Sequence, residues 1–332
     1  MRRKLWCSRA LLLSFCWLFF PKYSSAQCCS PGNPIGGSTA LGVNEAQQWQ
    51  FFLNYRFGFS GQYFEGNAPA STLFIEEGFY QHVGLIAALG LTERLTVEAE
   101  TGYFLNKTQD YVEGVLPSRL VGRGLTDLYL STKVNLWRNP LKETELTLMG
   151  GFKLPLGSYQ QQYQGALLTR DLQPTTGAYD LLGGFFLYKG FLPQKTRLFL
   201  AGRYEYKGQN PDRYRYGQFA TLSAFGSYSP GAAWTFLLQL RGEWRDRDTR
   251  PLSGNGLEIG NGREQVIPTG SHKLFLVPQV NVALSPDLDL SLMADWPLYQ
   301  FYFDKQLATT TAVTLSLRYQ LRANGGLLPA VP

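Results

Sequence analysis

Residues Trp49 to Ser60 read W-Q-F-F-L-N-Y-R-F-G-F-S. Trp49, Phe51, Leu53, Tyr55, Phe57 and Phe59 fill the odd positions. Gln50, Asn54, Arg56, Gly58 and Ser60 fill the even ones, with Phe52 the single exception. Successive side chains of a strand project to opposite faces, so a period of two means one apolar and one polar face. The apolar face is rich in aromatic rings. The pattern recurs, with polar breaks, almost to the end of the chain. Behind an export leader it predicts an all-β protein, a transmembrane antiparallel up-and-down β-barrel.

The leader is read at residues 1–26. Arg2, Arg3, Lys4 and Arg9 make a basic start, and Ala10 to Phe20 is apolar but too short to span a bilayer as a helix. Ser24-Ser25-Ala26 supplies small residues for cleavage after Ala26. The leader holds five bases and no acid, so its removal lowers the formal charge from +6 to +1. The basic balance therefore belongs to the precursor, and no nucleic-acid partner is expected. Beyond the leader no segment approaches the length of apolar residues a helical span needs. Cys7 and Cys16 leave with the leader, which keeps only Cys28 and Cys29. No disulfide staples the barrel, and a ladder closed on itself needs none.

Twelve strands are predicted, at about 49–60, 79–91, 94–105, 124–137, 144–155, 178–189, 196–207, 217–228, 233–245, 272–284, 287–297 and 308–321. The connections alternate in length. Long ones fall at 61–78, 106–123, 156–177, 208–216, 246–271 and 298–307. Short ones include Thr92-Glu93 and Ser285-Pro286. Outer-membrane barrels have long extracellular loops and short periplasmic turns, so both termini should be periplasmic. The predicted organisation is a leader (1–26), a periplasmic arm (27–48), an outer-membrane barrel (49–321) and a tail (322–332). Val313, Leu315, Leu317 and Tyr319 in the last strand resemble the signal read by barrel-assembly machinery in the Gram-negative cell envelope. That machinery and outer-membrane lipids are the expected partners.

The inner face follows from charge. A charge facing lipid at mid-bilayer costs about 2–4 kcal/mol, so charged residues on the strands must point into the lumen. This assigns Arg56, Glu98, Glu100, Asp127 and Lys133 from the first four strands. Lys153, Asp180, Arg203 and Glu205 follow, then Arg241, Glu243, Asp289 and Asp295. Twelve strands lie between eight, which side chains fill, and sixteen, which leave a wide aqueous pore. A narrow interior crossed by facing acids and bases is expected.

G-L-T-D-L-Y-L-S-T-K-V-N-L at 124–136, G-F-K-L-P-L-G at 151–157 and L-Q-P-T-T-G-A-Y-D-L-L-G-G at 172–184 carry a family resemblance, as does W-P-L-Y-Q at 296–300. Over about 79–321 the chain resembles the outer-membrane transporter-like barrels grouped with the MetA pathway of phenol degradation. That resemblance implies passive uptake of small, apolar or aromatic cargo, and it brings no catalytic residues and no cofactor.

Three features are candidate devices. Pro155 and Pro174 flank the third long loop, read either as a gate folded over the mouth or as strand-ending residues beside an Asp180–Lys153 pair. Pro278 lies mid-strand, where it cannot donate to the ladder, and reads as a bulge or a lateral opening. Cys28 and Cys29 read as an inert oxidised pair, a lipid anchor or a soft-metal site, and two thiolates alone make an incomplete metal site. For catalysis the chain offers only His82 and His272. Ser271 precedes His272, and neighbours on a strand face apart, so no Ser–His pair forms and no enzyme is expected. The leading reading is a passive outer-membrane transporter. The alternatives are a non-conducting structural or binding barrel, and a metal-handling protein using the cysteine arm.

Overall fold

The computed structural model describes residues 42–115, 117–191, 195–254 and 256–322. The leader, Cys28, Cys29 and the tail 323–332 lie outside the described residues. The spanning strands are β1 (Gln48–Ser60), β2 (Ile75–Thr92), β3 (Leu95–Tyr111), β4 (Leu128–Asn139), β5 (Thr144–Leu154) and β6 (Asp180–Phe191). They continue as β7 (Thr196–Tyr206), β8 (Phe219–Tyr228), β9 (Trp234–Arg245), β10 (Ser271–Ser285), β11 (Leu288–Leu307) and β12 (Thr311–Arg322). Each pairs antiparallel with its sequence neighbours. β1 then pairs with β12, from Gln48↔Arg322 to Phe59↔Thr311, which closes the barrel and leaves no free edge.

Alternation sorts the wall. Leu53, Leu85, Leu198, Leu238, Leu240, Leu292 and Leu315 are exposed on the outside. Trp49, Trp137, Tyr228, Trp234 and Tyr319 ring this band near the short turns, and Tyr204, Tyr206, Trp244, Trp296 and Tyr299 ring it near the long loops. An apolar belt between two aromatic girdles is what a bilayer requires of a barrel. The inside is mostly polar: Gln50, Thr96, Lys133, Asn135, Thr147, Ser223, Gln279, Thr314 and Ser316 are all buried there. Phe52, the exception in the opening alternation, is 1% exposed and fills the interior with Ile86 and Phe104. Phe275, Val277 and Met293 form a second apolar cluster inside.

Three of the predicted long connections are shorter than read. β2 starts at Ile75, β3 runs to Tyr111, and Arg119–Leu125 pairs back on β3. The polar run Asn106–Asp110 reads as a loop in the sequence because its inward side chains meet other polar groups rather than oil. The segment 298–307 is part of β11, not a loop. It pairs with β10 (Ser271↔Tyr302) and with the short strand Tyr63–Gly66 (Leu307↔Tyr63). Only 308–310 connects β11 to β12. Pro278 sits opposite Leu238 of β9 with the register intact on that side. The nearby shift in pairing falls instead at Leu274/Phe275, against Pro297.

Candidate functional site

The third long loop folds into the barrel. Leu168, Leu172, Gln173, Thr175 and Ala178 are buried, and so is Pro174. Buried Lys107, on the inner face of β3, donates to the Gln173 carbonyl at 2.9 Å. The Gln173 side chain donates from Nε2 to the Gln161 carbonyl at 3.2 Å and accepts at Oε1 from the Gln161 backbone N–H at 2.9 Å, which fastens the two sides of the loop together. A Cβ on Gly122 would stand 1.8 Å from the Leu172 carbonyl, and one on Gly157 1.8 Å from that of Leu125. Both glycines let backbone lie directly on backbone. Pro155 is half-buried where β5 gives way to the loop.

A chain of ion pairs anchors this loop. The Lys153 ammonium is fully buried, 3.1 Å from Asp127 and 2.8 Å from Asp180. It also donates to the Thr176 hydroxyl of the loop, and the Thr175 hydroxyl donates to Asp127. Lys207 stands 3.1 Å from Asp180 and pairs with Glu205, and Glu205 meets Arg203 at 2.7 Å. Arg203 lies over the Tyr129 ring at 5.0 Å. The Asp180–Lys153 pair expected from the sequence forms, and the same lysine holds the inward loop at Thr176.

A second cluster spans the opposite side. Asp295 accepts from Arg56 at 2.5 Å and from Arg241 at 2.8 Å, and Arg241 also meets Glu243 at 2.9 Å. The Arg241 guanidinium lies over Phe275 at 5.0 Å. Lys133 meets Glu98 at 2.6 Å, and Glu100 faces Tyr129 across the β3–β4 ladder. Asp289 stands apart from these groups, near the short turns, paired with Arg318. Nearly every charge in the waist has an opposite partner, as a low-dielectric interior demands.

The waist separates two cavities that share no lining residue. The one toward the short turns is about 640 Å³ and includes Thr147, Ala201, Leu237 and Asn281. The one toward the long loops is about 400 Å³ and is walled by Tyr63, Phe74, Tyr111, Tyr216, Phe219 and Tyr302, with Lys207 and Glu243 at its floor. On β9, Leu237 lines the first cavity and Glu243 the second, with Gln239 and Arg241 between. Along β7 the same order is Ala201, then Arg203 and Glu205, then Lys207 just past its end. Nothing in the sequence marks the tyrosine wall, because its rings come from loop segments and strand extensions that carry no period of two when read singly.

The remaining long loops are tied over this cavity. The Tyr214 hydroxyl donates to Asp248 at 2.7 Å, and Arg170 lies over the Tyr214 ring at 3.9 Å. Burial, then the Asp248 charge, push the Tyr214 phenol well above its ordinary range. Asn210 reaches the Thr176 carbonyl at 3.4 Å. Neither histidine has a catalytic setting. His82 packs on Phe104, with ring centroids 5.0 Å apart. His272 packs on Phe303 at 5.1 Å, outside the wall, while Ser271 is buried within it. Among the described residues no group of three or more His, Cys, Asp or Glu side chains is arranged to hold a metal ion.

A closed twelve-strand wall with an apolar outer belt and a charged inner waist defines an outer-membrane β-barrel. The chain belongs to the family described as "MetA-pathway of phenol degradation", whose model matches residues 119–299. A crystal structure of an outer membrane channel from Pseudomonas putida F1 superposes with a TM-score of 0.64 at 12% identity, covering 88% of this chain and 99% of that one. The NanC porin gives 0.44 at 9% identity, over 81% of this chain and 100% of that one. The CymD monoaromatic hydrocarbon channel gives 0.38 at 10% identity, over 85% and 91%. No curated protein matches the chain.

Proposed function

We propose that this barrel is a passive channel for small molecules with an apolar or aromatic body. One observation carries the reading: an aromatic cavity of about 400 Å³ lies above a narrow ion-paired waist, with a second cavity of about 640 Å³ beneath it. The upper cavity offers ring faces to a flat apolar solute, and charged groups of both signs, among them Lys207, Glu243, Arg245 and Asp248, to orient a polar end of it. The waist, formed by Arg56, Asp295, Arg241 and Glu243 on one side and Lys153, Asp180, Lys207, Glu205 and Arg203 on the other, limits size and screens bulk ions. The inward loop from Pro155 to Pro174 is the gate, held by Lys153. Transport of this kind needs no bond chemistry, and the protein is not an enzyme. Ion passage through purified barrel in planar bilayers tests the reading. A small, steady current is expected, and none at all would leave a structural or binding barrel.

In this reading the long loops are extracellular, and both termini are periplasmic. Single cysteines at Asn67 and Gln162, both exposed, should react with a membrane-impermeant maleimide on whole cells, whereas one at Gly231 should react only after lysis. The reverse pattern would invert the barrel.

A further inference from the structure

A basic depression lies on the outside of the wall, at the long-loop rim. Arg215, Arg247 and Arg263 line one hollow of about 450 Å³, together with Thr249, Ile259 and the acid Asp246. Strand alternation places it outside. Glu205 is fully buried in the lumen, so its neighbour Tyr206 faces out and is 47% exposed. The Arg215 guanidinium lies over that Tyr206 ring at 4.7 Å. Arg247 likewise lies over Phe303 at 5.1 Å.

The way these arginines are held is informative. Arg215 donates from Nε to the Lys207 carbonyl at 2.8 Å. Arg263 donates to the Thr249 hydroxyl at 2.8 Å and to the Arg213 carbonyl at 3.2 Å. These acceptors are neutral, so they fix each guanidinium without cancelling its charge. A guanidinium has five N–H donors, and most remain for a ligand. Arg247 is tied to Asp304. Three oriented guanidiniums against Asp246 and Asp304 leave the hollow positive. Directly beneath it runs the girdle of Tyr204, Tyr206 and Trp244, the level at which lipid headgroups meet a barrel.

We propose that this hollow binds the phosphate groups of outer-leaflet lipopolysaccharide. Planar guanidiniums match phosphate oxygens in pairs, and Tyr206 and Phe303 keep two of them in place. The site does not depend on whether the lumen conducts. It rests on the extracellular placement of the long loops, which the whole-cell labelling tests separately. Binding to purified barrel is independent of that placement.

The test uses purified full-length barrel, its thermal unfolding followed while one of three probes is added: lipopolysaccharide with both lipid A phosphates, the same lipid after phosphatase treatment, and inorganic pyrophosphate. The phosphorylated lipid should raise the unfolding temperature at roughly tenfold lower concentration than the stripped lipid, the scale of one charged hydrogen bond. The variant R215Q/R263Q, checked for folding by its heat-modifiable gel mobility, should lose this preference while still tolerating both lipids. Equal effects of the two lipids on wild-type protein would overturn the proposal. So would a pyrophosphate effect as large as that of the phosphorylated lipid, which would make the hollow a site for free phosphates. An undiminished preference in R215Q/R263Q would show that the phosphates sit elsewhere. Should that variant not fold, R263Q alone takes its place in the same comparison: a reduced preference for the phosphorylated lipid is expected, and an undiminished one would overturn the proposal.

Discussion

Replacing Lys153 by Met should destabilise the barrel by about 3–5 kcal/mol and loosen the gate at the same time. The Lys153 ammonium is completely buried between Asp127 and Asp180. Removing one partner of such a cluster strands the others as buried charge, which costs far more than the pair contributes net. Asp180 keeps Lys207, but Asp127 loses its paired cation and keeps the Thr175 hydroxyl, and the loop loses its hold at Thr176. The folded form should therefore lose its heat-resistant mobility on gels at a clearly lower temperature. Single-channel current should rise, because the loop between Pro155 and Pro174 no longer lies fixed in the lumen. The second variant K153M/D127N separates the two effects. It removes the stranded carboxylate and should recover part of the stability, while the current stays high. Wild-type melting and wild-type current in K153M would mean that the ion-pair chain neither supports the wall nor holds the loop.

Leu240→Arg should damage assembly far more than the equally drastic Leu237→Arg. Leu240 is 43% exposed on the outer face of β9 and pairs with Ala224 and Leu276 at mid-height. A guanidinium there meets lipid, at about 2–4 kcal/mol. Leu237 lies on the inner face beside the larger cavity, where a long side chain finds water and space. Folding into vesicles of fixed lipid, followed by protease protection, measures the difference. If both variants fold with the same yield, the assignment of faces is wrong.

Much of this architecture is legible in the chain because a barrel wall repeats one rule. A period of two, combined with the cost of charge in lipid, is enough to place Arg56, Lys133, Arg203 and Arg241 on the inner face. Phe52 breaks the pattern only because the interior is not uniformly polar: it packs inside near the two-residue apolar patches that Ile86 and Phe104 provide. What the alternation does not contain is which acid meets which base. Arg56 finds Asp295 at a separation of 239 residues, an encounter created only when β1 closes on β12 and brings β11 within reach. The fate of the third loop is equally hidden. Its Gln, Thr and Pro residues read as a solvated surface segment, yet Gln173 and Thr175 are buried because the lumen supplies Lys107 and Asp127 as partners. The segment 298–307 reads as a loop for a related reason. Gln300, Asp304 and Lys305 look like loop residues, yet each finds a polar partner in the folded rim: Gln300 accepts from the Tyr302 hydroxyl, Asp304 pairs with Arg247 and Lys305 donates to the Ser71 hydroxyl.

Current through single barrels in planar bilayers, compared between wild type and R203Q/R241Q, bears most directly on the central claim that solutes cross through an ion-paired waist. The wild type should pass a small current, well below that of a wide porin, because twelve strands and an inward loop leave little free cross-section. Neutralising Arg203 and Arg241 removes positive charge from the narrowest level of the lumen, so the reversal potential in a salt gradient should move toward cations. A silent wild type with an equally silent variant, or a current whose ion preference ignores both arginines, would contradict the account.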